Sequence, residues 1–131
     1  MQHITFTGGL YNELKSVAYQ LAELFVLPSY SEGFSTTVLE AMSYSKPVII
    51  SDACGFPEVE MNEAGIIIRP TVKSLSSALE KIIQDERLRK KMGTNGFKLV
   101  KSQYNWDIIA EKMINEYLKI IRKHNIENIR N

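Results

Sequence analysis

Two glutamates, Glu32 and Glu40, are separated by seven intervening residues in the stretch SEGFSTTVLEAM, residues 31–42. The first belongs to a polar turn. The second falls just inside a helix expected to start near Thr36. Ser35 is placed to N-cap that helix, so the amides of Thr36, Thr37 and Val38 project from its start, at the positive end of the helix dipole. Such a helix start is a ready site for phosphate. Gly33, just before it, permits a positive φ or a close backbone approach. Helical side chains lean toward the N-terminus, so Glu40, on the face of Thr36, is expected to lean back toward the same anion. A carboxylate repels phosphate unless it takes hydroxyl groups instead. The ligand that suits both acids and the amides carries hydroxyls on each side of a phosphate, as a nucleotide sugar does. On these two residues alone, a solvated turn glutamate and a helix-dipole partner explain the pattern as well.

The elements around this stretch follow from apolar spacing. Ile4 to Gly9 (ITFTGG) alternates like a strand and ends in a glycine pair that is neither GxGxxG nor a Walker loop. Asn12 is expected to N-cap a helix through about Leu21, with Leu14, Val17, Ala18 and Leu21 on its buried face. Leu24 to Leu27 is continuously apolar, as in a parallel strand covered on both faces, and Pro28 and Ser29 end it. Pro47 to Ser51 reads as a third strand. The loop Ser51 to Glu60 (SDACGFPEVE) then lies at the carboxyl edge, where open α/β sheets carry ligands. Glu63 to Pro70 holds a short strand after a glycine turn. Lys73 to Gln84 is an amphipathic helix with Leu75, Ala78, Leu79, Ile82 and Ile83 inward.

Asp85 to Met92 is a charged helix, its Arg87, Arg89, Lys90 and Lys91 expected on a solvated face. Gly93 is expected to interrupt it and Thr94 to cap a further turn through Val100. A last helix runs from about Asn105 to about Lys123. Its apolar stripe is Trp106, Ile109, Ala110, Met113, Tyr117, Ile120 and Ile121, with Trp106 expected to pack in the core. The polar tail after His124 is expected to fray.

Composition narrows the function classes. The 131 residues suit one domain, and 44% hydrophobic with 24% charged residues is ordinary for a globular protein. A net charge of +1 gives no electrostatic case for nucleic acid. One cysteine, Cys54, excludes an internal disulfide and suits a reducing compartment. No apolar run is long enough to span a bilayer and no signal-peptide pattern is present, so a cytoplasmic location is expected. His3 and His124 lie at opposite ends without metal-ligand spacing. No metal or other cofactor is expected.

The run EGF, then LEAM, with PS before it and PVI and GFPE after it, resembles the signature of retaining GT-B glycosyltransferases of family 4. The resemblance implies an α/β fold, a Rossmann-like parallel sheet with flanking helices, forming the later part of a carboxy-terminal donor-binding domain. Residues 1–131 would then be one partial nucleotide-sugar-binding domain, with a closing helix at about 105–123. The implied activity is hexosyl transfer from a nucleotide sugar, a substrate rather than a cofactor, to an acceptor hydroxyl.

By the same resemblance, Glu32 is the catalytic residue and holds donor-sugar hydroxyls. Gly33, Phe34, Ser35, Thr36, Thr37 and Val38 line the sugar and diphosphate, with Gly55 and Phe56 near the donor sugar. Glu40 takes the ribose hydroxyls, and Gly9, Leu10 and Tyr11 approach the nucleobase. An ordinary turn explains that last group equally well. Many relatives have glycine where this chain has Ser35 and Ser45. The first departure puts tight donor geometry in doubt, and the second asks serine to end a helix in a left-handed conformation.

The Arg and Lys that relatives place on the diphosphate, and the amino-terminal acceptor domain, have no counterpart among these residues. The 131 residues alone are therefore expected not to catalyse transfer. The bare edge of ITFTG and the last helix are expected to favour self-association, and a membrane-peripheral role of a longer parent stays open. A non-catalytic nucleotide-sugar-binding module and a GT-B nucleotide-sugar epimerase also fit these residues. A response-regulator-like domain fits poorly, because only Asp52 offers a strand-end acid.

Overall fold

The computed structural model describes residues 3–129. In chain order its elements are α1 (Asn12–Leu21), β1 (Phe25–Leu27), α2 (Thr36–Ser43), β2 (Val48–Ser51), α3 (Glu58–Met61), β3 (Gly65–Ile68), α4 (Val72–Gln84), α5 (Glu86–Gln103) and α6 (Trp106–Ile129). The three strands form one parallel sheet in the order β1-β2-β3. Phe25, Val48 and Gly65 stand in register, as do Leu27, Ile50 and Ile67. The α/β layered architecture expected from the sequence is present.

Alternation along the strands divides the core in two. Val48 and Ile50 face Val38, Ala41 and Met42 of α2, with Val59 of α3 and Leu99 of α5. Ile49 and Ile68 face Ala78 and Ile82 of α4, with Met92 of α5. β2 is buried at every position, which is why it reads as a continuous apolar run. The edge strand β3 is partly sealed by Glu60, whose carboxylate accepts from the Ile67 amide at 3.2 Å.

α5 serves both layers, with Met92 in one and Leu99 in the other, so it passes from one face of the sheet to the other. The crossing explains Gly93, which does not interrupt the helix as expected; α5 is continuous from Glu86 to Gln103. A Cβ built on Gly93 would stand 2.0 Å from the Ser45 carbonyl oxygen. The glycine admits the end of α2 against the α5 backbone. Ser45 itself is left-handed, at φ 56°. Its amide donates to Met42 O at 2.9 Å and the Lys46 amide to Ala41 O at 3.1 Å, the paired bonds of a Schellman cap.

Several expectations need correction. Residues 4–9 form no strand, and Phe6 is 94% exposed. In the order 3-2-1-4-5-6, the three strands present occupy the 4-5-6 half. A strand preceding them in the chain would belong at the far edge, separated from β1 by two further strand positions. No described strand fills those positions, so ITFTGG has no neighbour to pair with. Asn12 is the first residue of α1 rather than its cap, Tyr11 taking that place without a side-chain bond.

The apolar stripe of α1 is exposed, and Lys15 and Tyr19 dock it on α2 instead. Ile83 is likewise exposed on α4. Arg89 is not on a solvated face. It pairs with Glu23 at 3.3 Å and donates to the carbonyls of Ile82, at 3.1 Å, and Ile83, at the C-terminal end of α4. Trp106 is 84% exposed rather than packed, because no described element lies against that side of α6. The helix also continues past His124 to Ile129; the last two residues of the expected frayed tail lie outside the described residues. None of the described helices is long and apolar enough to cross a membrane.

Candidate functional site

The loops after β1 and β2 leave the same edge of the sheet, and α2 begins there. Ser51, at the end of β2, is wholly buried and donates its hydroxyl to Ser29 O at 2.6 Å, tying the two strand ends together. Ser29 in turn donates its side-chain hydroxyl to Glu32 Oε2 at 3.2 Å. The Glu32 carboxylate is thus tethered to the rim of the sheet while remaining exposed.

α2 starts where the sequence predicts. Ser35 takes the N-cap position with extended backbone, φ −81° and ψ 108°, but its side chain makes no cap bond. The Ser35 hydroxyl meets the Thr37 hydroxyl at 2.8 Å instead. The first-turn amides are therefore left without a side-chain acceptor, and Thr36 and Thr37 are exposed while Val38 is buried beneath them. Of the two reasons offered for Gly33, positive φ does not apply. A Cβ there would meet nothing within 4 Å, so the space beside it is open.

Phe34 anchors the approach to this helix start. Its ring lies 5.2 Å from Phe56 and is stacked at 5.7 Å on Tyr104, while Phe56 and Tyr104 meet edge-on at 5.4 Å. The trio ties the loop before α2 to the loop after β2 and to the end of α5. Phe56 is 3% exposed, so its ring is structural. Gly55 beside it is left-handed, at φ 56°, with open space around its Cβ position. Burial, and then the Glu58 carboxylate, push the Tyr104 phenol above its usual range.

Glu40 turns toward α1. Its Oε1 accepts from Lys15 Nζ at 2.9 Å and its Oε2 from the Tyr19 hydroxyl at 3.1 Å. Burial first, and then the hydrogen bond and charge of Glu40, push the Tyr19 phenol up to about 12. Lys15 and Tyr19 also line a hollow of about 360 Å3 together with Gly8, Leu10 and Phe25. Of the three residues expected near a nucleobase, Leu10 is brought into this hollow. Tyr11 folds over Gly9, its hydroxyl 2.7 Å from where a Cβ would stand.

Sequence reasoning missed Lys15, Tyr19, Ser29, Ser51 and Tyr104. Lys15 and Tyr19 reach Glu40 from 25 and 21 residues away, and Ser51 reaches Ser29 from 22. No local spacing reports such contacts. Among the described residues no cluster of three or more His, Cys, Asp or Glu is arranged to hold a metal ion.

The chain matches the family described as glycosyl transferases group 1 over residues 1–99. It is 35% identical over 106 residues to the capsular polysaccharide biosynthesis glycosyltransferase CapM of Staphylococcus aureus, covering 77% of this chain and 28% of that protein. It is 33% identical over 115 residues to the O-antigen chain mannosyltransferase B of Escherichia coli, covering 87% of this chain and 30% of that one. The fold is similar to sucrose-phosphate synthase from Thermosynechococcus elongatus, with a TM-score of 0.82 and 31% identity, over 93% of this chain and 31% of that chain. The chain thus spans less than a third of the length of each. With a parallel sheet of the matching architecture and a sequence match across most of its length, the chain belongs to the glycosyl transferases group 1 family.

Proposed function

We propose that this chain is the donor-binding part of a glycosyltransferase that moves a hexose from a nucleotide sugar to an acceptor hydroxyl, with the anomeric configuration retained. The observation that carries the reading is the start of α2, uncapped at the rim of the sheet, with the tethered carboxylates of Glu32 and Glu40 nearby in sequence. The amides from Phe34 to Val38 would take the diphosphate, whose charge grows as the bond to the sugar breaks. Preorganised donors stabilise such developing charge without having to reorganise. No metal is needed in this scheme. Glu32 would accept hydroxyls of the donor sugar and Glu40 those of the ribose. Names of relatives as mannosyl- and N-acetylgalactosaminyltransferases support a hexose-type donor. In this reading the 131 residues bind donor and do not by themselves complete the transfer.

Titration of the intact protein with UDP-, GDP- and ADP-sugars tests the reading. One nucleotide series should bind. Glu40→Ala should then weaken binding at least about tenfold, the order of one charge-assisted hydrogen bond lost. Glu32→Ala should remove turnover while changing donor affinity by no more than about threefold. Wild-type behaviour in both variants would remove the assigned roles.

A further inference from the structure

A carboxylate one turn inside a helix whose start binds phosphate is an electrostatic problem, and α1 resolves it. Both Glu40 oxygens are engaged from α1, Oε1 by the Lys15 ammonium at 2.9 Å and Oε2 by the Tyr19 hydroxyl at 3.1 Å. The two side chains lie one helical turn apart, so a single face of α1 supplies both donors. Tyr19 is fixed in turn. Its ring stacks on Tyr44 at 5.5 Å with an interplanar angle of 15°, and tilts against Phe25 at 6.0 Å. Tyr44 closes α2 and Phe25 opens β1, so the phenol is clamped between the helix that carries Glu40 and the sheet beneath it.

The ion pair is too exposed to be explained by stability. The Lys15 and Glu40 side chains are 44% and 36% exposed, and half-solvated pairs of this kind contribute little to folding. What the contacts do supply is direction and charge. Each carboxylate oxygen retains acceptor capacity after its present bond, enough for a ligand hydroxyl. Lys15 offsets the negative charge that would otherwise oppose a nearby diphosphate. With its phenol pushed up to about 12, Tyr19 remains a donor across the ordinary pH range.

We propose that Lys15 and Tyr19 are positioning residues for donor recognition, holding Glu40 oriented and charge-compensated to accept the ribose hydroxyls of a nucleoside diphosphate. The proposal rests on the assignment of Glu40 made above. It adds that α1, outside the EGF…LEAM stretch, decides how well ribose is told from a sugar lacking those hydroxyls.

The test uses the intact protein and compares UDP, GDP and ADP with their 2′,3′-dideoxy counterparts by calorimetric titration. The wild type should prefer the ribonucleotide of its series at least about tenfold, since a site built for hydroxyls leaves acceptors unpaired without them. Tyr19→Phe keeps the ring contacts and should lower that preference to about threefold or less. Its affinity for the dideoxy compound should stay within about twofold, whereas a purely structural loss would weaken both ligands alike.

Lys15→Met should lower the preference too, and should also weaken the dideoxy compound at low salt, with partial recovery as salt screens the uncompensated Glu40 charge. Lys15→Arg should restore affinity. Variants that keep the wild-type preference would overturn the positioning role and leave Glu40 as the ribose residue. A wild type that ignores the hydroxyls, or binds none of the three diphosphates, would overturn the Glu40 assignment and this proposal with it.

Discussion

The two flanks of β2 are built to different standards. On the β3 side the backbones are in close contact. A Cβ on Gly65 would stand 2.0 Å from Val48 O, one on Gly93 equally close to Ser45 O, and Ile49, Ile50 and Ile82 are fully buried. On the β1 side α1 has no buried residue, Leu14 is 67% exposed and Leu21 78%. There the main ties to α2 are polar, Lys15 and Tyr19 on Glu40, with Lys46 donating to Gln20 O at 2.9 Å. The candidate site straddles the two. The helix start belongs to the tightly packed flank, while the orientation of Glu40 comes from the loose one. Packing places the backbone amides, and a few hydrogen bonds aim the side chain.

Substitutions on the two flanks should separate by size of effect. Ile49→Ala empties a fully enclosed position and should cost about 3 kcal/mol, read as a drop in the urea midpoint, whereas Leu21→Ala should cost less than about 0.5 kcal/mol. Similar losses at the two sites would erase the contrast. Gly93→Ala sets the helix preference of alanine against a collision with backbone, and the collision should win by about 2 kcal/mol. A more stable Gly93→Ala protein would show that α2 and α5 separate easily.

A smaller effect of opposite sign is expected at Ser45. Ser45→Gly removes a Cβ from a left-handed residue and should raise stability by about 1 kcal/mol, read as a rise in the urea midpoint. The pH dependence sharpens the loose flank. A folded-state phenol raised from 10.0 to about 12 binds its proton more tightly than the unfolded chain does. The stability Tyr19 contributes is therefore fully present below pH 10.0 and lost as pH rises through about 12. Phenolate absorbance should show a late-titrating tyrosine that shifts downward in Glu40→Gln, unlike Tyr104, which Glu40 does not touch; an unshifted titration would mean that the contact does not hold it.

Elements whose burial is decided locally were legible in the sequence. The run before Ser51 showed β2 because both its faces are covered, and Ser35 marked the start of α2 to the residue. Only the position was legible there, since the serine hydroxyl chose Thr37 over the helix amides. What escaped notice depends on partners distant in the chain. Gly93 looked like a break because glycine is a poor helix former, and its reason for being there is a carbonyl 48 residues earlier in sequence, that of Ser45. ITFTGG had the alternation of a strand, but pairing requires a neighbour. The stripe of α1 was read correctly as apolar and wrongly as covered, as was Trp106 on α6, because periodicity reports which residues share a face and not what lies opposite. The contacts on Glu40 left no mark in the spacing that revealed Glu40 itself.

The Schellman turn beneath Gly93 clamps α2 at the end remote from the candidate site. An eight-residue helix is a rigid rod about 12 Å long. Tilting it about that clamp by roughly 5° would swing its tip by about 1 Å, a displacement large enough to upset catalytic geometry. Sequence changes at the back of the domain, around Ser45 and Gly93, thus act as a trim on the angle at which the α2 amides are presented at the rim of the sheet. Under the proposed donor-binding role, homologues could retune donor fit there without altering any residue assigned to the sugar.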